Sequence, residues 1–158
     1  MRQLSGGEAE RYLKAEVVGV YPVVIESSGA AFVMLLEAAE WKGKMLPIYI
    51  GVSEGLSIQN ALSGVKMERP LTHDLLINIL EALGVTIEKV TIDALLNNTV
   101  YTATLVLRKG EEGNSERIFI DARPSDSVAL ALRAGAPIYV AAHLEAYARS
   151  PEELGLKE

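Results

Sequence analysis

The chain has 158 residues, 15 of them basic and 21 acidic for a net charge of −6, and it contains no cysteine. That length suits one domain able to bury a core without cross-links, and the missing cysteines exclude disulfides, thiolate zinc sites and cysteine nucleophiles. The acidic balance argues against holding nucleic acid by bulk charge, so any such role must rest on a local patch or on bound cations.

Residues 1–13 contain Ser5-Gly6-Gly7-Glu8 and no stable period, and are expected to form a loose or weakly helical arm ahead of a single domain over residues 14–148 and a C-terminal tail over residues 149–158. Ala15 to Glu26 is a β-branched run broken at Tyr21-Pro22, which predicts an edge strand or a kinked one. Ser27-Ser28-Gly29 reads as a turn. Ala31 to Glu37 and Lys44 to Ile50 read as two strands joined by Glu40-Trp41-Lys42-Gly43, an antiparallel meander.

After Gly51 the period changes, and Leu56, Ile58, Ala61 and Leu62 fit a short helix with Ser53 as N-cap and Gly64 as its stop. A second helix opens at Pro70-Leu71-Thr72-His73-Asp74 and closes at Gly84, with Leu75, Leu76, Ile79, Leu80 and Leu83 on one face. His73 falls at the margin of that stripe and Asp74 on the polar side, both available to solvent or a neighbour. Val85 to Leu95 and Thr99 to Lys109 form a hairpin about Asn97-Asn98, residues that tolerate positive φ. A polar turn over Glu111 to Ser115 leads to a strand over Arg117 to Asp121.

Pro124 suits the first turn of the next helix, with Ser125 and Asp126 as acceptors for its free N–H groups; Val128 to Leu132 make it almost wholly apolar, and Gly135 and Pro137 end it. A short strand over Pro137 to Ala141 follows. One more helix is expected from His143, a residue read as surface, and a loose end from Pro151 to Glu158. The fold class is therefore α+β, a largely antiparallel mixed sheet with two to four short helices packed on it.

Three helix starts hold the polar residues of interest: Ser53 and Glu54; Thr72, His73 and Asp74; Ser125 and Asp126; with Arg69, Asp121 and Arg123 just upstream. If the fold brings these starts together, they make an oxygen-rich metal site or an anion pocket lined by backbone N–H groups. Four carboxylates against two arginines favour a divalent cation over bare phosphate. Each group also has an ordinary structural use: Asp126 complementing a helix dipole, Arg123 pairing with Asp121, Thr72-His73-Asp74 serving as a cap. Tyr49 and Trp41 read as core or interface aromatics. Gly-x-Gly-x-x-Gly, Walker, Gly-x-Ser-x-Gly and His-Glu-x-x-His patterns are absent.

Three blocks together, Leu46-Pro47-Ile48-Tyr49-Ile50-Gly51 with Glu54-Gly55, Arg69-Pro70-Leu71-Thr72-His73-Asp74-Leu75-Leu76, and Asp121-Ala122-Arg123-Pro124-Ser125-Asp126 continued as Ala134 to Val140, resemble the bifunctional nuclease domain family. The resemblance spans Val17 to Ala142 and implies an activity that degrades both DNA and RNA. It carries Glu54, Arg69, Thr72, His73, Asp74, Asp121, Arg123, Ser125 and Asp126 as motif residues; Tyr49 stands where a tryptophan is usual, and the strand-turn-strand from Ala30 to Lys44 is longer and more apolar.

The expectation is a phosphodiesterase acting on DNA or RNA with Mg²⁺ or Mn²⁺. Glu54, Asp121 and Asp126 are its candidate metal ligands, with Asp74 an alternative to Glu54. His73, Asp74, Asp126 and Arg123 are the catalytic candidates, with His73 as general acid or base, and Arg69, Thr72 and Ser125 are assigned to substrate. Its rival is a non-catalytic oligomeric binding or regulatory module in which the same residues cap helices and lock subunits together. Hydrophobic residues make up 49% of the chain, which points to a homo-oligomer, a dimer first of all. Every apolar run is far shorter than the roughly 20 residues of a membrane helix and no signal pattern opens the sequence, so a cytoplasmic location without membrane partners is expected.

Overall fold

The computed structural model describes residues 10–27, 29–111 and 113–156. The expected arm lies outside the described residues over positions 1–9, as do Ser28 and Glu112 of the two predicted turns. Among the described residues the strands are β1 (Tyr12–Ile25), β2 (Gly29–Ala38), β3 (Leu46–Ile50), β4 (Val85–Leu96), β5 (Val100–Lys109), β6 (Glu116–Ala122) and β7 (Ile138–Ala141). The α-helices are α1 (Val52–Ser63), α2 (Thr72–Ala82) and α3 (Pro124–Ala134). The strands form one sheet in the order β3-β2-β1-β7-β4-β5-β6, in which only β4 and β7 run parallel. The fold is α+β.

Strand β1 is both interior and edge. Tyr12 to Ala15 pair with β7, beyond which β1 has only β2 beside it, and the register shifts between Val17 and Gly19. Pro22, lacking an N–H, falls in the half with one partner, where a missing donor is tolerated. The β4–β5 hairpin turns at Asn97 and Asn98, at φ 50° and 56°, as their tolerance of left-handed backbone predicts.

One apolar core lies between the sheet and the helices. Met34, Leu36, Val90, Ile92, Leu105 and Val140 rise from the strands to meet Ile58 of α1 and Val128 to Ala131 of α3. Trp41, in the 3-10 turn Ala39–Trp41 between β2 and β3, is buried in it. Gly55 lets α1 sit against β2: a Cβ there would lie 2.3 Å from Cγ of Phe32.

Three local expectations are corrected. The N-caps are Gly51, Leu71 and Arg123, none making a side-chain cap bond, so Ser53, Ser125 and Asp126 lie inside the first helical turns instead of capping them. Four of the five residues of the apolar stripe of α2 face outward, Leu75 50% and Leu83 65% exposed, while the fifth, Leu80, turns inward with His73 and Ile77. The polar bonds of His73 and Asp74 to α1 and α3, described below, fix that rotation. Finally, the segment after Pro151 is packed: Leu154 and Leu156 cover Val33, Leu35 and Met45 on the sheet face away from the helices, and Arg149 exchanges backbone hydrogen bonds with Met45. The 3-10 helix Ala142–Tyr147 precedes it.

Candidate functional site

All three helices carry a carboxylate at the third position of the first turn: Glu54, Asp74 and Asp126. An acid there is favourable to the helix dipole, yet each is drawn into a different set of bonds. Asp74 accepts from its own N-cap backbone, Leu71 N–H at 3.0 Å, and from Arg133 Nε at 2.7 Å. Arg133, in the last turn of α3, also donates to the carbonyls of Ala129 and Ser57, so one guanidinium ties α1, α2 and α3 together. The Arg133 hydrogen bond, followed by that from Leu71, holds the Asp74 carboxyl below its usual range.

Asp126 is joined to a longer chain of contacts. His73 Nε2 lies 2.9 Å from Asp126 Oδ1, His73 Nδ1 lies 2.6 Å from Ser57 Oγ, Arg123 Nε donates to Asp126 Oδ2 at 2.9 Å, and Arg123 Nη1 stands 3.5 Å from Glu54 Oε1. The result is a continuous line, Ser57–His73–Asp126–Arg123–Glu54, that begins and ends on α1 and passes through the starts of α2 and α3. Burial pushes the Asp126 carboxyl up, but the bonds from His73 and Arg123 outweigh it and hold the group below the usual carboxylate range. In the tautomer that carries its hydrogen on Nε2, the imidazole donates to the Asp126 carboxylate and Nδ1 accepts from the Ser57 hydroxyl. Exposure grades along the line: Ser57 and His73 are buried, the Asp126 side chain is 30% exposed, and that of Arg123 is 67% exposed.

A family model described as the bifunctional nuclease domain matches residues 33–153, a span that contains this whole line. The chain belongs to the bifunctional nuclease domain family. An uncharacterized protein of Mycobacterium tuberculosis is 42% identical over 123 residues, 78% of this chain and 70% of its own length. Bifunctional nuclease 1 of Oryza sativa subsp. japonica is 23% identical over 116 residues, 73% of this chain and 34% of its own. Bifunctional nuclease 2 of Arabidopsis thaliana is 22% identical over 111 residues, 70% and 33% respectively.

Of the bifunctional nuclease motif residues, the fold brings Glu54, His73, Arg123 and Asp126 into direct contact and places Asp74 beside them through Arg133. His73 is buried and bonded at both nitrogens, not available to solvent, and the partners of Arg123 are Asp126 and Glu54, not Asp121. Asp121 stands apart. Strand alternation sets it on the face opposite Ile118 and Ala122, which pack against the helix-side core, and it makes no hydrogen bond or ion pair among the described residues. Arg69 and Thr72 are exposed beside the start of α2, and Ser125 is buried.

Glu54, Asp121 and Asp126 therefore do not assemble as a set. Two of them bracket one guanidinium, the third points to the other side of the sheet, and among the described residues no three His, Cys, Asp or Glu side chains are grouped to hold a metal ion. The residues present do not fit a three-carboxylate Mg²⁺ or Mn²⁺ centre.

Ser57 and Arg133 are the members that the sequence did not single out. Ser57 is a hydroxyl between Leu56 and Ile58 in a short helix, and Arg133 ends an otherwise apolar stretch; a lone polar residue at such positions is the available signal. Among the described residues no helix is long and apolar enough to cross a membrane.

Proposed function

We propose that this bifunctional nuclease domain hydrolyses phosphodiester bonds of nucleic acid, DNA and RNA alike, at the Ser57–His73–Asp126–Arg123 line. The observation that carries the reading is that line itself, graded from buried hydroxyl to exposed guanidinium, at the meeting of three helix starts in a chain of this family. Beside its bonds to Asp126 and Glu54, Arg123 keeps its permanent charge and its Nη2 donors for a non-bridging phosphoryl oxygen, and the positive ends of the helix dipoles favour the same anion. Arg69, exposed nearby in sequence and without an ion pair among the described residues, is a second cation for the polynucleotide backbone.

Hydrolysis joins a water oxygen to phosphorus and breaks one P–O ester bond, so one proton must leave the water and one must reach the departing oxygen. An imidazole can do both in turn, and in His73, whose Nε2 is held by Asp126, the nitrogen that exchanges the proton is Nδ1, once the Ser57 hydroxyl gives it up to the water. Asp126 fixes the ring's orientation through Nε2, and Ser57 holds the far nitrogen until the proton moves. Asp126 itself, kept below its usual range, is a poor base and serves as the orienting group.

The test is cleavage of single-stranded DNA and RNA by the purified chain in chelator, Mg²⁺ and Mn²⁺. Cleavage is expected to fall at least about 100-fold in His73→Ala and Arg123→Ala, and Ser57→Ala is expected to shift the pH profile of kcat. If His73→Ala and Asp126→Asn cut as fast as the parent, the site is elsewhere; activity only with added metal brings a substrate-held cation into the mechanism. A non-catalytic oligomeric module is the second reading, favoured by the outward apolar stripe of α2, and no cleavage of either polymer under any of these conditions selects it.

A further inference from the structure

The two edges of the sheet are built differently. β3 is five residues long, contains Pro47, and is preceded directly by the Met45–Arg149 bridge. These devices keep a strand edge from recruiting another chain. β6 has none of them. Its seven residues, Glu116–Ala122, pair with β5 without a register shift, include neither proline nor lysine, and have no second neighbour among the described residues. Its outer row of backbone N–H and C=O groups is thus open, and Phe119 and Ile120 beside it are 53% and 42% exposed.

The chemistry of β6 is symmetric about Phe119. Ile118 and Ile120 flank it, and outside them stand Arg117 and Asp121, opposite in charge. We propose that β6 is a self-association edge: two copies pair antiparallel through it about a twofold axis at Phe119, joining their sheets. In this register Phe119 meets the partner's Phe119, Ile118 meets the partner's Ile120, and Arg117 meets the partner's Asp121, each unlike pair occurring twice by symmetry. The isoleucine pairs fall on the face that carries Ile118 toward the helix-side core, so they extend that core across the junction.

The charge pairs fall on the other face. There Arg117 Nη2 already donates to Glu88 at 3.1 Å with guanidinium donors to spare, while Asp121 has no partner within its own chain among the described residues. Sliding the strands by two residues either way sets Phe119 against Arg117 or against Asp121 and breaks the charge pairs, so the register is specified. The pairing gives the motif aspartate that stands outside the polar line a role of its own. It also sets the two Arg123 side chains at opposite ends of the shared strand pair, because Arg123 follows Ala122, the last residue of β6.

Sedimentation velocity of the full chain over low to high micromolar concentration reads the association. The parent is expected to form a dimer that dissociates on dilution. Arg117→Asp and Asp121→Arg each weaken it about tenfold or more by opposing like charges, and the double variant Arg117→Asp/Asp121→Arg restores it. Phe119→Arg, a change at a side chain already exposed in the monomer, is expected to give a folded monomer, which keeps the test decisive if Arg117→Asp fails to fold. A parent that stays monomeric throughout overturns the proposal. So does a dimer indifferent to both charge reversals and to Phe119→Arg, which would place the contact on another surface such as the α2 stripe.

Discussion

At the scale of single residues, the carboxylates at the starts of α2 and α3 carry a pH dependence whose direction is fixed by their bonds. Asp74 and Asp126 are both held below the usual carboxylate range, Asp74 by Arg133 first and Asp126 by His73 and Arg123 against the opposing effect of burial. A depressed folded-state pKa contributes stability that is complete above the unfolded value of about 3.9 and is lost as pH falls through the lower folded values. The melting temperature is therefore expected to drop on acidification below about pH 4, and Asp74→Asn, which keeps an acceptor for Leu71 N–H, is expected to flatten that acid limb. A variant with the parent's pH dependence would show that the Arg133 pair contributes nothing to it. The sequence made Glu54, His73, Asp74, Arg123 and Asp126 legible because polar residues at helix starts are conspicuous. It left Ser57 and Arg133 in the background because their partners lie 16 and 59 residues away, and local pattern holds no information about such pairs.

At the scale of elements, the contact of α1 with β2 depends on one missing side chain. A Cβ at Gly55 would enter the Phe32 ring, 2.3 Å from Cγ and 2.5 Å from Cδ2, and both partners are fixed, one in a helix and the other in a paired strand. Gly55→Ala is expected to destabilise the fold by about 1–3 kcal/mol through overpacking, opposing the gain in helix propensity of roughly 1 kcal/mol that alanine would otherwise bring. Urea denaturation measures the difference; an unchanged or raised midpoint would mean that α1 lifts from the sheet without cost. The strands and turns were readable from alternation and from the asparagines at positive φ, since those signals act within a few residues. The rotation of α2 was not, because an amphipathic stripe marks only which side is apolar. Here the buried bond of His73 to Ser57, its part-buried bond to Asp126 and the Asp74–Arg133 pair oppose that preference and prevail.

At the scale of the whole molecule, the sheet has one core on its helix side and a smaller one behind β2, and the second depends on the C-terminal segment. β7, arriving after α3, enters between β1 and β4, a placement set by long-range pairing that no local pattern reveals; the chain then crosses to Met45 and lays Leu154 and Leu156 over Val33, Leu35 and Met45. Those two leucines are only half-buried, so their removal is expected to cost about 2 kcal/mol in total, each contributing less than the 1.5–3 kcal/mol of a fully buried side chain. Truncation after Ser150 also uncovers the apolar backs of β2 residues, which predicts stronger binding of a hydrophobic dye together with the lowered urea midpoint. Because the polar line lies on the far side of the sheet, whatever cleavage the parent shows in the proposed assay is expected to survive truncation at temperatures well below the melting point. An unchanged midpoint would make residues 151–156 an ornament on a domain that ends at Ser150. A truncated chain that stays folded but loses cleavage would tie the second core to the site through the sheet.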